Sequence, residues 1–230
     1  MANNTEDVRL LKGDCLDAPK NIFKPGDKIM KTLKLTAKDF KKSSSYWSDY
    51  IGTEDISDYS GSIEIEGNLG YVRFDRLRAS GSIYAKVGTG IETARDIEAG
   101  AGIKAGWSIK AGAGIEAGWD IKAGEGIEAG RDIEAGWGIE AGLSISCKSS
   151  LRFNYSLFAG VATWRDINSA SKEIICGKLE GGTVCYGDVT ETGLPEDVKP
   201  ETISIGGTYY EVTEELKSVL NNLKEASNGE

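Results

Sequence analysis

Histidine is absent from all 230 residues. That zero removes every mechanism that depends on an imidazole: Ser-His-Asp and Cys-His nucleophile systems, HExxH metal sites and histidine proton shuttles. The four cysteines, Cys15, Cys147, Cys176 and Cys185, never fall at CxxC spacing, which argues against zinc and against thioredoxin-type chemistry. Cys176 and Cys185 are spaced to face each other across a hairpin turning near Glu180 and Gly181, where a reducing cytosol would keep them as thiols. No apolar run approaches the ~18 residues of a spanning helix. Met1 to Lys20 has neither a basic stretch followed by an apolar core nor an Arg-rich amphipathic pattern, so no export or transit signal is read there. These absences predict a cytoplasmic protein with no membrane contact, no cofactor, no metal and no conventional hydrolase or transferase activity.

A basic stripe is missing too. Residues 1–60 hold ten Lys/Arg and ten Asp/Glu, residues 61–170 hold 12 and 14, and residues 171–230 hold five and 12. The net charge of −9 is therefore concentrated in the last quarter. Phosphate neutralisation needs clustered cations, so direct nucleic-acid binding is not expected. The acidic tail reads as a solvated surface that keeps the chain soluble, with a contact to a basic partner as the alternative.

What the chain has in abundance is glycine, 30 residues, and a strict period. Isoleucine stands at 91, 97, 103, 109, 115, 121, 127, 133, 139 and 145, followed by leucine at 151 and 157. The unit is Ile-Glu/Lys-Ala-Gly-x-x. Upstream, Ile65, Tyr71, Leu77 and Ile83 read as the same step before an insertion of two residues. A period of six does not fit a helix, and each glycine would weaken one by about 1 kcal/mol. In an extended segment the isoleucine and the alanine, two apart, point to one side and the Glu or Lys between them to the other. Gly-x-x supplies a corner. Short strands joined by glycine corners give a mainly β fold, a β-solenoid whose coils stack and whose core is a column of isoleucine beside a column of alanine.

A coil closed by two units, a period of 12, and a coil closed by three, a period of 18, both satisfy this pattern. The last position of the unit reads Asp96, Gly102, Ser108, Gly114, Asp120, Gly126, Asp132, Gly138 and Ser144. That alternation recurs at every second unit and favours the shorter coil, with an Asp/Ser ladder at one corner and a glycine ladder at the other. The aspartates are expected to stabilise turns rather than bind calcium, because the nonapeptide spacing of calcium-binding repeats is missing.

The run from Ile97-Glu98-Ala99-Gly100 through Ile139-Glu140-Ala141-Gly142 resembles the hexapeptide-repeat family, known for acyltransferases with left-handed β-helices. The resemblance spans about 90 residues and implies a β-helical fold. The family's small residue sits two before the aliphatic one, where this chain has Trp107, Glu125, Arg131 and Trp137, and its acyltransferases use a histidine base. The enzyme reading is therefore not implied. The tract also resembles uncharacterised proteins of gut bacteria and their phages or mobile elements, which implies a phage-type, anti-defence setting.

Trp107, Trp119 and Trp137 occupy the fifth position of the unit, outside the Ile/Ala pair, with Glu125 and Arg131 at the same position. Exposed indoles anchor partners; the alternative is that they stack on one another or lie under a terminal segment. Residues 1–60 are expected to cap the solenoid, with a strand through Leu33 and Leu35 and a short polar helix around Ala37 to Lys42; residues 61–164 form the repeat. Residues 165–230 read as a hairpin over Ile174 to Tyr186, an acidic linker, a second hairpin from Ile203 to Val212 and an amphipathic helix carrying Leu216, Val219, Leu220 and Leu223. The expected function is non-enzymatic protein binding, in its most concrete form inhibition of a host defence protein by surface occlusion. The alternatives are an assembly protein, a homo-oligomer stacking through the solenoid ends, and, third, a hexapeptide-type transferase.

Overall fold

The computed structural model describes residues 31–166, 168–194, 202–205 and 208–211. From Ile97 to Cys147 a three-residue strand begins every six residues, each built on isoleucine and, up to Ile139–Ala141, closed by alanine. Each strand pairs in parallel with the one three units further along: Ile103 lies against Ile121, Ile109 against Ile127 and Ile115 against Ile133. Three units close a coil, and the shorter coil favoured by the alternation of the sixth position is corrected. The alternation serves the longer coil. Stacking three units apart puts Asp96 beside Gly114, Asp120 beside Gly138 and Ser108 beside Gly126, so acid or serine alternates with glycine at every corner. The Gly114 N–H donates to Asp96 Oδ1 at 3.1 Å, the Gly138 N–H to Asp120 at 3.2 Å and the Ser150 N–H to Asp132 at 3.0 Å. The aspartates do stabilise turns, by reaching the next coil.

The coils build three walls. Wall I runs from Thr32–Leu35 through Ile83–Ala85, Ile103–Ala105 and Ile121–Ala123 to Ile139–Ala141. Wall II includes Gly70–Phe74, Thr89–Thr93, Ile109–Ala111, Ile127–Ala129 and Ile145–Cys147. Wall III holds Leu77–Ala79, Ile97–Ala99, Ile115–Ala117 and Ile133–Ala135. The ten-residue strand Ser150–Ala159 joins III to I, since Leu151 pairs with Ile133 and Leu157 with Ile139. Ile91 to Ile145 are fully buried or nearly so, and their alanines are buried beside them. Each such isoleucine contributes about 1.5–3 kcal/mol.

The fourth-position glycine is required by the stacking. A Cβ at Gly118, Gly124 or Gly130 would run into the carbonyl oxygen of Gly100, Gly106 or Gly112 in the adjoining coil. None of these glycines has a positive φ; close approach of two backbones, not turn geometry, excludes a side chain.

Upstream the frame differs from the sequence reading. Val72, not Tyr71, pairs with Ile91 and is buried, and Ile63, not Ile65, aligns with Ile83. Asn68 and Gly70, both at positive φ, take up the shift. Because strand side chains alternate, one residue of slip turns Tyr71 outward.

The sheets extend beyond the 61–164 tract in both directions. Thr32–Leu35 pairs in parallel with Ser62–Ile65; Ala37–Asp39 is a single 3-10 turn, and Phe40–Lys42 folds back antiparallel on Trp47–Tyr50. Phe40 packs edge-on against Tyr50 and Phe74, each at 5.8 Å, over this end of the core. At the other end the expected hairpin over Ile174 to Tyr186 does not form. Glu173–Cys176 pairs with Ile145–Cys147, whereas Lys178–Tyr186 runs through Gly181 and Gly182 as one strand parallel to Ser150–Ala159. Both segments continue the coil because their aliphatic residues extend the existing columns. The facing of Cys176 and Cys185 across that hairpin is corrected with it: Cys176 is buried and Cys185 exposed, and both are free thiols. Thr202–Ile205 and Thr208–Glu211 form the second hairpin as expected. The helix expected around Leu216 to Leu223 lies outside the described residues.

Candidate interaction surface

Fifth-position side chains leave the coil at its corners, and a coil of three units distributes the five residues singled out from sequence over three of them. Trp119 and Trp137 share the corner between walls III and I. Trp107 and Glu125 share the corner between I and II. Arg131 lies on the third. They do not form one wall.

On the first corner Trp119 and Trp137 stack at 5.6 Å with their planes 15° apart. Backbone bonds set the spacing, from Trp137 N–H to Trp119 O at 3.1 Å and from Tyr155 N–H to Trp137 O at 3.0 Å. Trp119 is 48%, Trp137 47% and Tyr155 68% exposed, so stacking covers about half of each indole and leaves an aromatic ridge. Tyr155 was not singled out from sequence; its place three units beyond Trp137 is the signal, legible only once the coil length is known.

The second corner is closed. Trp107 is half-buried and tilts against Tyr71 at 5.4 Å; Tyr71 stacks on Trp47 at 4.7 Å. The Tyr71 and Ser108 hydroxyls each lie 3.1 Å from Glu125 Oε2, which accepts from both. Burial, with the Glu125 charge adding to it, pushes the Tyr71 phenol above its ordinary value although Ser108 opposes the shift. Trp107 and Glu125 thus hold coils together.

At the third corner Arg131 reaches Asp96 at 3.2 Å, and Arg76 reaches the other oxygen of that carboxylate at 2.7 Å. Burial disfavours the Asp96 charge, but the Gly114 N–H, Arg76 and Arg131 outweigh it and hold the carboxyl below its ordinary range. A carboxylate with a depressed pKa stabilises fully above its unfolded value and loses that contribution as pH falls through the folded value. Asp96→Asn is therefore expected to be less stable than the parent at neutral pH, and the gap is expected to close as pH falls below the usual aspartate range. Urea unfolding at a series of pH values measures it; a gap independent of pH would show that ionisation is not what Asp96 contributes.

Winding also sorts the outward second-position charges. On wall II signs alternate in register, Asp49, Arg73, Glu92, Lys110, Glu128, with Lys110 to Glu128 at 2.9 Å. On wall III, Glu98, Glu116 and Glu134 adjoin one another, with Arg78 beyond Glu98 and Arg152 beyond Glu134. On wall I, Lys104 and Lys122 adjoin. Beside Trp119 the ridge is thus flanked by Glu116 on wall III and Lys122 on wall I, and beside Trp137 by Glu134 and Glu140.

Among the described residues no group of three or more Cys, Asp or Glu is arranged to hold a metal ion, and no helix is long and apolar enough to cross a membrane. Burial pushes the Cys147 thiol up to about 12, which makes it a core residue rather than a nucleophile. The parallel coils are consistent with the hexapeptide-repeat superfamily in general. No family model matches the chain, and no curated protein or solved structure is significantly similar to it.

Proposed function

We propose that the protein is a non-enzymatic protein-binding scaffold whose contact surface is the ridge of Trp119, Trp137 and Tyr155, and that its setting is a phage or mobile element, where it blocks a host defence protein by covering a surface. The observation that carries this reading is two stacked indoles, each about half exposed, on a corner fixed by backbone bonds. Their position is set by coil stacking, so little side-chain freedom is lost on binding. Aromatic anchors of this kind dominate interface energies. The lack of histidine supports the non-enzymatic part.

Trp119→Ser with Trp137→Ser is expected to weaken capture of a host protein by about two orders of magnitude while the β-rich circular dichroism spectrum is unchanged. Equal capture by parent and variant would sink the proposal.

A second reading, assembly through the solenoid ends, has one observation in its favour. In the outermost described strands Leu179 and Val184 are only partly buried and Val189 is 39% exposed, although Leu151, Leu157 and Ile174 beneath them are fully buried. Light scattering over a concentration range separates the two: filaments would favour assembly, and a constant mass would favour the scaffold.

A further inference from the structure

We propose that a notch on wall I, beside the aromatic ridge, receives an acidic residue next to an apolar one from a protein partner. The inference rests on the ridge reading in placing the notch inside the contact surface, and it adds the chemistry of what is recognised.

The notch holds about 400 Å³ and is lined by Tyr84, Gly102, Lys104, Asp120 and Lys122 among others. Gly102 and Asp120 belong to the corner that carries Trp119, so notch and ridge are contiguous. One coil below Trp119 the ridge position is filled by the buried Ala101, and Gly102 follows with no side chain; this leaves the opening. The Tyr84 ring, 37% exposed, gives it an apolar side.

Its electrostatics are unbalanced. Lys104 stands in register between Tyr84 and Lys122. Its Nζ lies 5.7 Å from the centre of the Tyr84 ring, and it makes no ion pair among the described residues. Lys122 reaches Glu140 only at 3.7 Å and Asp120 only at 4.0 Å, and the other Asp120 oxygen is taken by the Gly138 N–H. Neighbouring parallel strands lie about 4.8 Å apart, so the two lysines repel. A carboxylate placed between them relieves that repulsion, while an adjacent apolar side chain covers the tyrosine ring. Wall II has no such need, since its charges alternate.

A library of short random peptides displayed on phage and selected on the full chain tests this directly. The recovered peptides are expected to carry Asp or Glu beside an apolar residue. Their affinity, read by fluorescence anisotropy, is expected to drop about tenfold for Lys104→Glu and to stay unchanged for Lys110→Glu on wall II. Peptides without an acid, equal effects of the two substitutions, or no recovered binder would each overturn the proposal. The ridge variant is measured with the same peptides and with the captured host protein. A lost Lys104→Glu effect with the ridge effect intact sinks the notch alone, and the converse sinks the ridge alone.

Discussion

Gly124→Ala is expected to destabilise the solenoid by about 3 kcal/mol or more, whereas Gly114→Ala is expected to stay within about 1 kcal/mol of the parent. Both glycines sit at corners of the same repeat, so propensity alone predicts equal effects. The difference is what a methyl group meets. At Gly124 it meets the Gly106 carbonyl oxygen, a backbone atom that moves only if two coils part. At Gly114 the nearest atoms are Asp132 O and Asp96 Oδ1, each at 3.7 Å, an ordinary contact. Denaturant unfolding of the two variants measures the contrast, and similar midpoints would contradict the close-approach account of the fourth position.

Removing one isoleucine from the column comes next in size. Ile121→Ala is expected to cost about 3–4 kcal/mol. Ile121 is fully buried, stacked between Ile103 and Ile139 in register. The interior is one isoleucine and one alanine deep on each wall, so no flexible layer stands behind the side chain to fill the space. The neighbouring rungs are held by backbone bonds such as Ile121 N–H to Gly138 O at 3.0 Å, which resist collapse into the cavity. Calorimetric melting of the variant checks this. A loss below about 1 kcal/mol would mean that the walls close around the gap.

The repeat was open to sequence reading because isoleucine and alanine at spacing two leave a strand no other way to bury them. Coil closure was harder. The sixth-position alternation recurs at every second unit, and its meaning depends on which residue lies one coil above, a relation that spacing along the chain does not contain. With Asp96 bonded to the Gly114 N–H, the same alternation becomes evidence for a coil of three units. Tyr71 was misplaced for a related reason: a period of six continued past Asn68 and Gly70, whose positive φ values absorb residues without advancing the strand.

The candidate surface divides the same way. The fifth position was recognisable as outward, and Trp119, Trp137, Trp107, Glu125 and Arg131 all lie at corners. Which of them stand together was decided by winding. Trp119 and Trp137 are three units apart and stack; Trp107 is two units from Trp119 and sits on another corner, tied to Tyr71.

By itself the order of residues determined that this chain is a stack of short strands with an isoleucine and alanine interior, because a strand alternates its side chains whatever surrounds it. The tertiary structure decided how many strands make a turn, and with that which charges become neighbours, which glycines tolerate a methyl group and which indoles form a ridge. Those properties depend on the contact between one coil and the next, where residues three units apart along the chain become direct neighbours.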